Sequence, residues 1–289
     1  MRFAYYPGCS LSGTAVEYDR SARVVAQALG IELEEIPDWS CCGATSAHST
    51  DKLLSLALPA RSLVKADEMG LDVAAPCAAC FNRLRTTVHS VRHDPTIRQE
   101  VEAALGRTYA ARAQVYSLLD VIVNHYGVEA ISARVKKSLG GMKIAAYYGC
   151  LLVRPSAVTA FDDPEDPQTM DRLVSALGGE AVPWPGKTEC CGASLSITRT
   201  QVVWQLAAQL LSAAQGAGAE AIVVACPFCQ SNLDMRQVQA QKWSGRHWGL
   251  PVYYFTQLLG VALGLPLQEL GLNTHFVDPL GILRQKALA

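Results

Sequence analysis

The feature that most constrains this chain is a five-cysteine pattern that occurs twice. Each copy has a single cysteine, a vicinal pair followed by glycine, and a CxxC pair. The first copy comprises Cys9, Cys41, Cys42, Cys77 and Cys80, and the second comprises Cys150, Cys190, Cys191, Cys226 and Cys229. Because 35 positions separate Cys42 from Cys77 and again Cys191 from Cys226, the two halves keep the same register. We interpret them as two related domains, residues 1–138 and 139–289, which meet near the charged, glycine-containing segment 136–142.

The repeat extends to the segments between the cysteines. In each half a short apolar run ends in Gly-Cys, a helical pattern stops at Gly30 or Gly178, and a proline-containing loop leads to the vicinal pair. A second helical pattern follows each CCG, and the apolar runs LDVAAP and AIVVAC lead into the CxxC pairs. This alternation predicts an α/β fold of two pseudo-symmetric domains, each a small, mainly parallel sheet flanked by helices. The cysteines are then expected at the C-terminal edges of the strands.

Charge and hydropathy narrow the classes of protein to which the chain can belong. Its 25 Lys and Arg balance 26 Asp and Glu, and no block of one sign stands apart, so a nucleic-acid partner is not supported. The N-terminal residues MRFAYYPGCS lack the features of a signal or transit peptide, which favours a cytoplasmic location. Residues 250–267 are apolar, but Pro251, Thr256, Gln257 and Pro266 interrupt them. We therefore expect a short strand and a buried helix there, without membrane insertion.

The chemistry of the cysteines points to a metal centre. Disulfide frameworks are typical of small secreted domains, whereas this chain is long and half hydrophobic. Zinc completes its shell with four ligands, so a set of five leaves one thiolate without a role. Vicinal cysteines reach separate irons of a cluster more easily than one small ion. We predict iron-sulfur ligation by both sets, and two alternatives stay open: a cluster in one half with zinc in the other, or cysteines that are free or in disulfides.

The motifs CCGATS and CAAC, and CCGAS and CPFC, resemble those of the cysteine-rich CCG domain, and two such domains in one chain resemble the B subunit of heterodisulfide reductase. The resemblance implies that each half holds a noncubane [4Fe-4S] cluster with its five cysteines, and that a disulfide is cleaved between the two clusters. It also implies a ferredoxin-type partner, like the C subunit of that family, and a flavoprotein partner, like its A subunit. This chain itself carries no glycine fingerprint for a flavin.

The same resemblance extends to two-domain subunits of sulfur oxidation, lactate oxidation and succinate or fumarate metabolism. We therefore expect an oxidoreductase subunit that acts on a disulfide or another sulfur-carrying substrate, and the sulfur-oxidation type is one candidate. The alternative is a non-catalytic electron-transfer subunit or a zinc-stabilised interaction subunit of a redox complex.

A few residues besides cysteine are candidates for the site. Arg154 and Lys187 lie close in sequence to Cys150 and Cys190, where positive charge would attract an anionic substrate, although they also fit ordinary surface charges. His48 follows the first CCG and is a candidate proton source or a simple loop residue. Aromatic residues that precede the cysteines are weaker candidates for the cluster surroundings: Trp39, Trp184 and the pairs Tyr5-Tyr6 and Tyr147-Tyr148.

Overall fold

Two parallel sheets form the framework of the protein, in a computed structural model that describes all residues 1–289. The first sheet has the order β2-β1-β3-β4 and the second has the equivalent order β6-β5-β7-β8. The strands are β1 Arg2–Tyr5, β2 Glu32–Glu35, β3 Val73–Ala75, β4 Val115–Ser117, β5 Lys143–Tyr147, β6 Glu180–Ala181, β7 Ala221–Val224 and β8 Val252–Tyr254. Every pairing is parallel, which confirms the predicted α/β class and the pseudo-symmetry of the halves.

Helices cover the sheets because parallel strands need crossover connections. The longer helices of the first half are Val16–Leu29, Lys52–Met69, Ala78–His93 and Pro95–Leu105. Those of the second half are Thr169–Ala176, Thr200–Gly216, Pro227–Leu233, Gln237–Ser244 and Phe255–Ala262. Short helical segments are Gly8–Leu11, Ala47–Thr50, Leu118–Asp120, Val121–Gly127 (a π-helix), Val128–Ser132, Ser156–Thr159, Ala193–Leu195, Leu267–Leu270, Leu272–Thr274 and Leu280–Gln285.

The predicted helix ends agree with the glycine pattern in the first half. Gly30 has φ +74° and caps Val16–Leu29, and Gly70 has φ +65° and caps Lys52–Met69. Glycine adopts this left-handed conformation without the strain that a side chain would introduce. In the second half the corresponding Gly178 lies two residues beyond the end of the helix Thr169–Ala176, so this helix ends before its glycine.

The second half has an acidic, proline-containing segment after Cys150 that the first half lacks. Its residues 155–170 contain the helix Ser156–Thr159 and the start of Thr169–Ala176. The carboxylate of Asp162 organises this segment, because it accepts the backbone N–H groups of Gln168 and Thr169 at 2.9 and 2.7 Å. The polar stretch after the second CxxC is divided into the two helices Pro227–Leu233 and Gln237–Ser244.

The apolar segment 250–267 forms strand β8 and the helix Phe255–Ala262, and every residue of both is buried. The predicted strand and buried helix are thus confirmed. Among the helices of the protein, none has both the length and the apolar character that a bilayer crossing requires.

The two halves pack directly against each other. The helix Val16–Leu29 lies against Phe255–Ala262, and the ring of Tyr18 stacks on that of Tyr254 with centroids 4.1 Å apart and planes inclined by 7°. Nearby, the hydroxyl oxygens of Ser21 and Thr256 are 2.7 Å apart. A single apolar core of 87 buried residues runs through both halves, so the relative position of the sheets is set by packing as well as by polar contacts.

Candidate metal centre

The cysteines lie at the carboxyl edges of the two sheets. Cys9 follows β1 and Cys77 follows β3, the two adjacent strands at which the connections of the first sheet change direction. Cys150 and Cys226 follow β5 and β7, which have the same relation in the second sheet. In open parallel α/β sheets this switch point is where ligands bind. The vicinal pairs come from the loops after the neighbouring strands, and three segments therefore deliver cysteines to one place in each half.

In the first half the thiols form a compact group. The Sγ atoms of Cys9 and Cys41 are 3.7 Å apart, and those of Cys42 and Cys80 are 3.4 Å apart. Cys42, Cys77 and Cys80 are buried, whereas Cys9 and Cys41 are exposed. The group thus has a buried side toward the sheet and an open side toward solvent.

The second half repeats this arrangement. Cys191 and Cys229 have their Sγ atoms 3.8 Å apart, and the thiol of Cys190 is the largest influence on the pKa of Cys150, which it raises. Cys191, Cys226 and Cys229 are buried, Cys150 is partly buried, and Cys190 is exposed. The ten thiols are all free of disulfide bonds, and all ten belong to one or the other group.

The two groups of thiols meet at the contact between the halves. The Cys226 thiol is the largest influence on the pKa of Cys77, which it raises, and Cys77 in turn helps to lower the pKa of Cys226. These two residues begin the two CxxC motifs and are both buried. The CxxC motifs of the two halves are therefore neighbours.

Backbone amides favour the thiolate form at both vicinal pairs. The pKa of Cys41 is lowered to about 2, first by the thiols of Cys42 and Cys9 and then by the Gly43 N–H, whose nitrogen lies 3.4 Å from its Sγ. The pKa of Cys190 is lowered to about 6 by the Cys150 thiol and by amides that include that of Gly192, at 3.3 Å. Anionic sulfur is the form that binds metals.

The first cysteine of each CxxC motif lies at the start of a helix. Cys77 is the N-cap of Ala78–His93, and Cys226 is the N-cap of Pro227–Leu233, with Pro227 at the first helical position. The thiol of Cys229 makes the largest contribution to the lowered pKa of Cys226, and the amides of Phe228 and Cys229 add to it. At Cys226 the helix start therefore favours the thiolate, whereas the Cys226 thiol raises the pKa of Cys77.

The charged candidates lie near the second group of thiols, but their charges are engaged. The Lys187 ammonium is 2.9 Å from Asp166 and 3.0 Å from Asp171, and its backbone carbonyl accepts the N–H groups of Tyr148 and Gly149. The Arg154 guanidinium donates to Glu165, to the carbonyl of Pro164 and to Thr188. Each residue supports the loops around Cys150 and Cys190, and a role of either in attracting substrate stays a prediction.

His48 lies on the short helix Ala47–Thr50 and is exposed. The helix begins four residues after Gly43, which has φ +71°. The His48 imidazole is thus accessible to solvent, and its proposed role in proton supply stays a prediction.

Sequence reasoning missed three residues that shape the groups of thiols. A Cβ atom on Gly8 would come within 2.8 Å of the Cys80 sulfur, and one on Gly149 within 3.1 Å of the Cys229 sulfur. The side-chain amide of Asn232 donates to the carbonyl and the sulfur of Cys191, at 3.1 and 3.5 Å. The repeated Gly-Cys pair was a usable signal for the glycines, whereas no pattern in the sequence marked Asn232.

The set of donors determines which metal group fits. Each half offers five thiols with no histidine or carboxylate among them, and thiolates suit iron-sulfur clusters and zinc. No group of three His, Cys, Asp or Glu side chains converges closely enough to hold a single metal ion. Five sulfur donors held by three loops match the ligands of a cluster with several irons.

Comparisons with known proteins agree with this site. The sequence model of the CCG cysteine-rich domain matches residues 3–85 and 144–234. The chain is 35% identical over 279 residues to the 8-methylmenaquinol:fumarate reductase membrane anchor subunit of Wolinella succinogenes, covering 96% of this chain and 97% of that protein. It is 28% identical over 288 residues to the B subunit of the ferredoxin/F420H2-dependent CoB-CoM heterodisulfide reductase of Methanosarcina acetivorans, covering 98% and 96%.

A solved structure supports the fold independently. A hypothetical protein from Helicobacter pylori superposes with a TM-score of 0.73 at 15% identity, over 96% of this chain and 52% of that one. With two matched domains and relatives along nearly its whole length, the chain belongs to the cysteine-rich CCG domain family and is a homologue of the B subunit of heterodisulfide reductase.

Proposed function

We propose that the protein is the iron-sulfur redox subunit of a heterodisulfide-reductase-like complex, and that it cleaves or forms a sulfur-sulfur bond between two noncubane [4Fe-4S] clusters. The observation that carries the proposal is the meeting of the two groups of thiols, with Cys77 beside Cys226. Two sites that share one reactant must adjoin, whereas electron transfer alone requires only that the two centres lie within tunnelling distance.

The ligands in this proposal are the five cysteines of each half, with residues 1–138 and 139–289 as the two cluster-binding units. When bound, such clusters supply one-electron chemistry on both sides of a disulfide. The protein contributes the remaining elements. Buried Cys42, Cys80, Cys191 and Cys229 exclude water from the side facing the sheets, and the amides of Gly43 and Gly192 stabilise negative charge on sulfur.

The substrate in this proposal is a disulfide or another sulfur-carrying compound, and the electrons pass between this chain and a ferredoxin-type or flavin-bearing partner. Arg154 and His48, which are both at least partly accessible to solvent, are the candidates for guiding the substrate and supplying protons. Lys187 has only 8% of its side chain exposed, which favours an indirect role through its ion pairs. Thiol ligands without disulfides suit the reducing cytoplasm, where we place the complex.

A second candidate function is electron transfer without substrate chemistry, within a quinol:fumarate reductase type of complex. The specific observation in its favour is the 35% identity to a protein named as the membrane anchor subunit of such a reductase. In that case the two adjoining centres would form a conduit for electrons between partners. A zinc-stabilised interaction subunit is the remaining alternative.

Metal analysis and spectroscopy of anaerobically purified protein distinguish these functions. The proposal predicts about eight irons per chain, visible absorption and an electron paramagnetic resonance signal that changes when a disulfide is added. Electron transfer alone predicts the same iron with no response to disulfides. Stoichiometric zinc without visible absorption would favour the zinc-stabilised alternative.

Paired cysteine variants sharpen this experiment. Cys9→Ser and Cys150→Ser each remove an outer ligand from one half, so each is expected to lower the iron content by about half. If both centres act on one reactant, either variant alone abolishes the response to disulfide. A variant that loses the iron of one half and still responds fully would contradict the shared reactant.

A further inference from the structure

Each half contains a buried tyrosine three residues before its first cysteine. These are Tyr6 and Tyr147, and neither exposes any surface. The phenol O–H of Tyr6 donates to the backbone carbonyl of Ser40, and that of Tyr147 donates to the carbonyl of Glu189 at 2.7 Å. Ser40 and Glu189 immediately precede the vicinal cysteines. The same tether from the central strand to the CCG loop is therefore present twice.

Both rings lie within their groups of thiols. Burial raises the pKa of Tyr6, and negative charge on Cys80, Cys42, Cys41 and Cys9 raises it further. The corresponding four cysteines act on the pKa of Tyr147 in the same way. A Cβ on Gly149 would lie 3.1 Å from the Cys229 sulfur and 3.8 Å from the Tyr147 ring, so this ring borders its group of thiols.

Neighbouring groups hold each ring in place. A Cβ on Gly8 would approach the Tyr6 ring to 3.3 Å as well as the Cys80 sulfur, so strand end, ring and thiol are in close contact. Trp39 packs edge-on against Tyr6 with centroids 5.6 Å apart, and Trp184 packs at a tilt against Tyr147 at 5.9 Å. The tryptophans thus contact the tethering tyrosines, which gives a structural reason for their position before each CCG.

The other tyrosine of each pair points to a different part of the protein. The O–H of Tyr5 donates to Asp19 at 2.8 Å, and that of Tyr148 donates to Asp171 at 2.6 Å. Successive side chains of a strand point to opposite faces, so only one member of each pair can reach the thiols. Tyr5 and Tyr148 are similarly buried and serve as matched controls.

We propose that Tyr6 and Tyr147 are positioning residues of the two centres, which fix the vicinal cysteines through a hydrogen bond to the peptide that precedes them. The inference rests on the proposed function only in that the cysteines hold clusters, since the tether belongs to the polypeptide itself. Without the hydroxyl, a partly buried carbonyl loses its donor and the CCG loop becomes free to move.

Tyr6→Phe and Tyr147→Phe test the inference, with Tyr5→Phe and Tyr148→Phe as controls. In the metal-free chain, alkylation of buried Cys42 or Cys191, followed by mass spectrometry, should be about fivefold faster in the half that lost its tether. In the loaded chain, iron should be released to a chelator faster from that half only, with an altered paramagnetic resonance signal. Replacing Tyr6 with 4-aminophenylalanine, which keeps an N–H donor, should restore the slow rate.

The outcomes separate the inference from the proposed function. If Tyr6→Phe and Tyr5→Phe give equal alkylation and iron-release rates, the tether has no positioning role and the inference is wrong. Acceleration at the cysteines of both halves by one variant would indicate general loosening and would also overturn it. An unmodified chain that binds no iron contradicts the proposed function, yet the alkylation rates still decide the inference.

Discussion

Replacing Gly8 with alanine tests the packing around the first group of thiols. Gly8 has φ +70°, and a Cβ there would lie 2.8 Å from the Cys80 sulfur and 3.3 Å from the Tyr6 ring. Gly30 provides a matched control, since it has φ +74° and no atom within 4 Å of the same added carbon. Both alanine variants meet the same backbone strain, but only Gly8→Ala also collides with the Cys80 sulfur.

The expected magnitudes follow from these contacts. The left-handed conformation costs an alanine about 1–2 kcal/mol, and the stiffer unfolded chain returns about 0.4–1 kcal/mol. Gly30→Ala should therefore lower the free energy of unfolding by about 1 kcal/mol, or the melting temperature by about 2–4 °C. Gly8→Ala should lose about 1–3 kcal/mol more, because the buried sulfur and ring must move aside.

The assay combines iron content with thermal unfolding of the metal-free chain. We expect Gly8→Ala to lose about half of the iron, that of the first group, while Gly30→Ala keeps all of it. Equal iron contents in the two variants would refute the expectation that crowding of the Cys80 sulfur disturbs iron binding. Loss of iron from Gly30→Ala would show that backbone strain alone disturbs iron binding, and packing around Gly8 would not explain the loss in Gly8→Ala.

Three other perturbations have defined outcomes. Lys187→Met should lower the free energy of unfolding in urea by about 3–5 kcal/mol, because the largely buried carboxylate of Asp171 loses its cation. The control Lys65→Met removes the partner of the exposed Asp38 and should cost under about 1 kcal/mol, and similar losses in the two variants would contradict this. Asn82→Leu should lower the free energy of unfolding by about 2–4 kcal/mol, since the Asn82 amide donates to the carbonyls of Leu151 and Arg154 in the other half, at 3.1 and 2.7 Å. The control Asn124→Leu should change the stability little, because Asn124 is exposed. Burial lowers the pKa of His275 from 6.5 to about 4, so the unfolded chain binds the proton more readily and the folded state loses stability as the pH is lowered. Between about pH 7 and pH 5 the free energy of unfolding of the wild type should fall by about 2 kcal/mol more than that of His275→Gln, and an equal dependence on pH in the two proteins would refute this prediction.

The sequence predicted the elements within each half and the residues that gather at the sheet edges. The spacing of the cysteines, the apolar strands and the helix-ending glycines are local signals, and local signals repeat visibly when a domain is duplicated. The contact between the halves was not predictable in the same way. Tyr18 and Tyr254 are more than two hundred positions apart, and nothing in their neighbourhoods marks them as stacking partners.

Charged residues were the least predictable part of the site. Arg154 and Lys187 are close in sequence to Cys150 and Cys190. Glu165 and Asp166, with which they pair, come from the acidic segment 155–170, which the first half lacks. A lysine beside a cysteine looks the same in sequence whether its charge is free or paired. Only the folded position of Asp166 and Asp171 decides between the two, and it decides for pairing.

Duplication explains why this architecture suits chemistry at two centres. A single sheet of this kind presents its switch point to solvent, so a lone centre there would have one face open. When a second copy packs against the first, the CxxC sides of the two groups of thiols adjoin at the buried neighbours Cys77 and Cys226, while Cys9, Cys41 and Cys190 stay exposed to solvent. The stacked rings of Tyr18 and Tyr254 and the Ser21–Thr256 contact hold the halves in this arrangement from outside the groups of thiols. The separation of the two centres is thus a property of the contact between the halves, and a change at that contact should alter joint chemistry before it alters either centre alone.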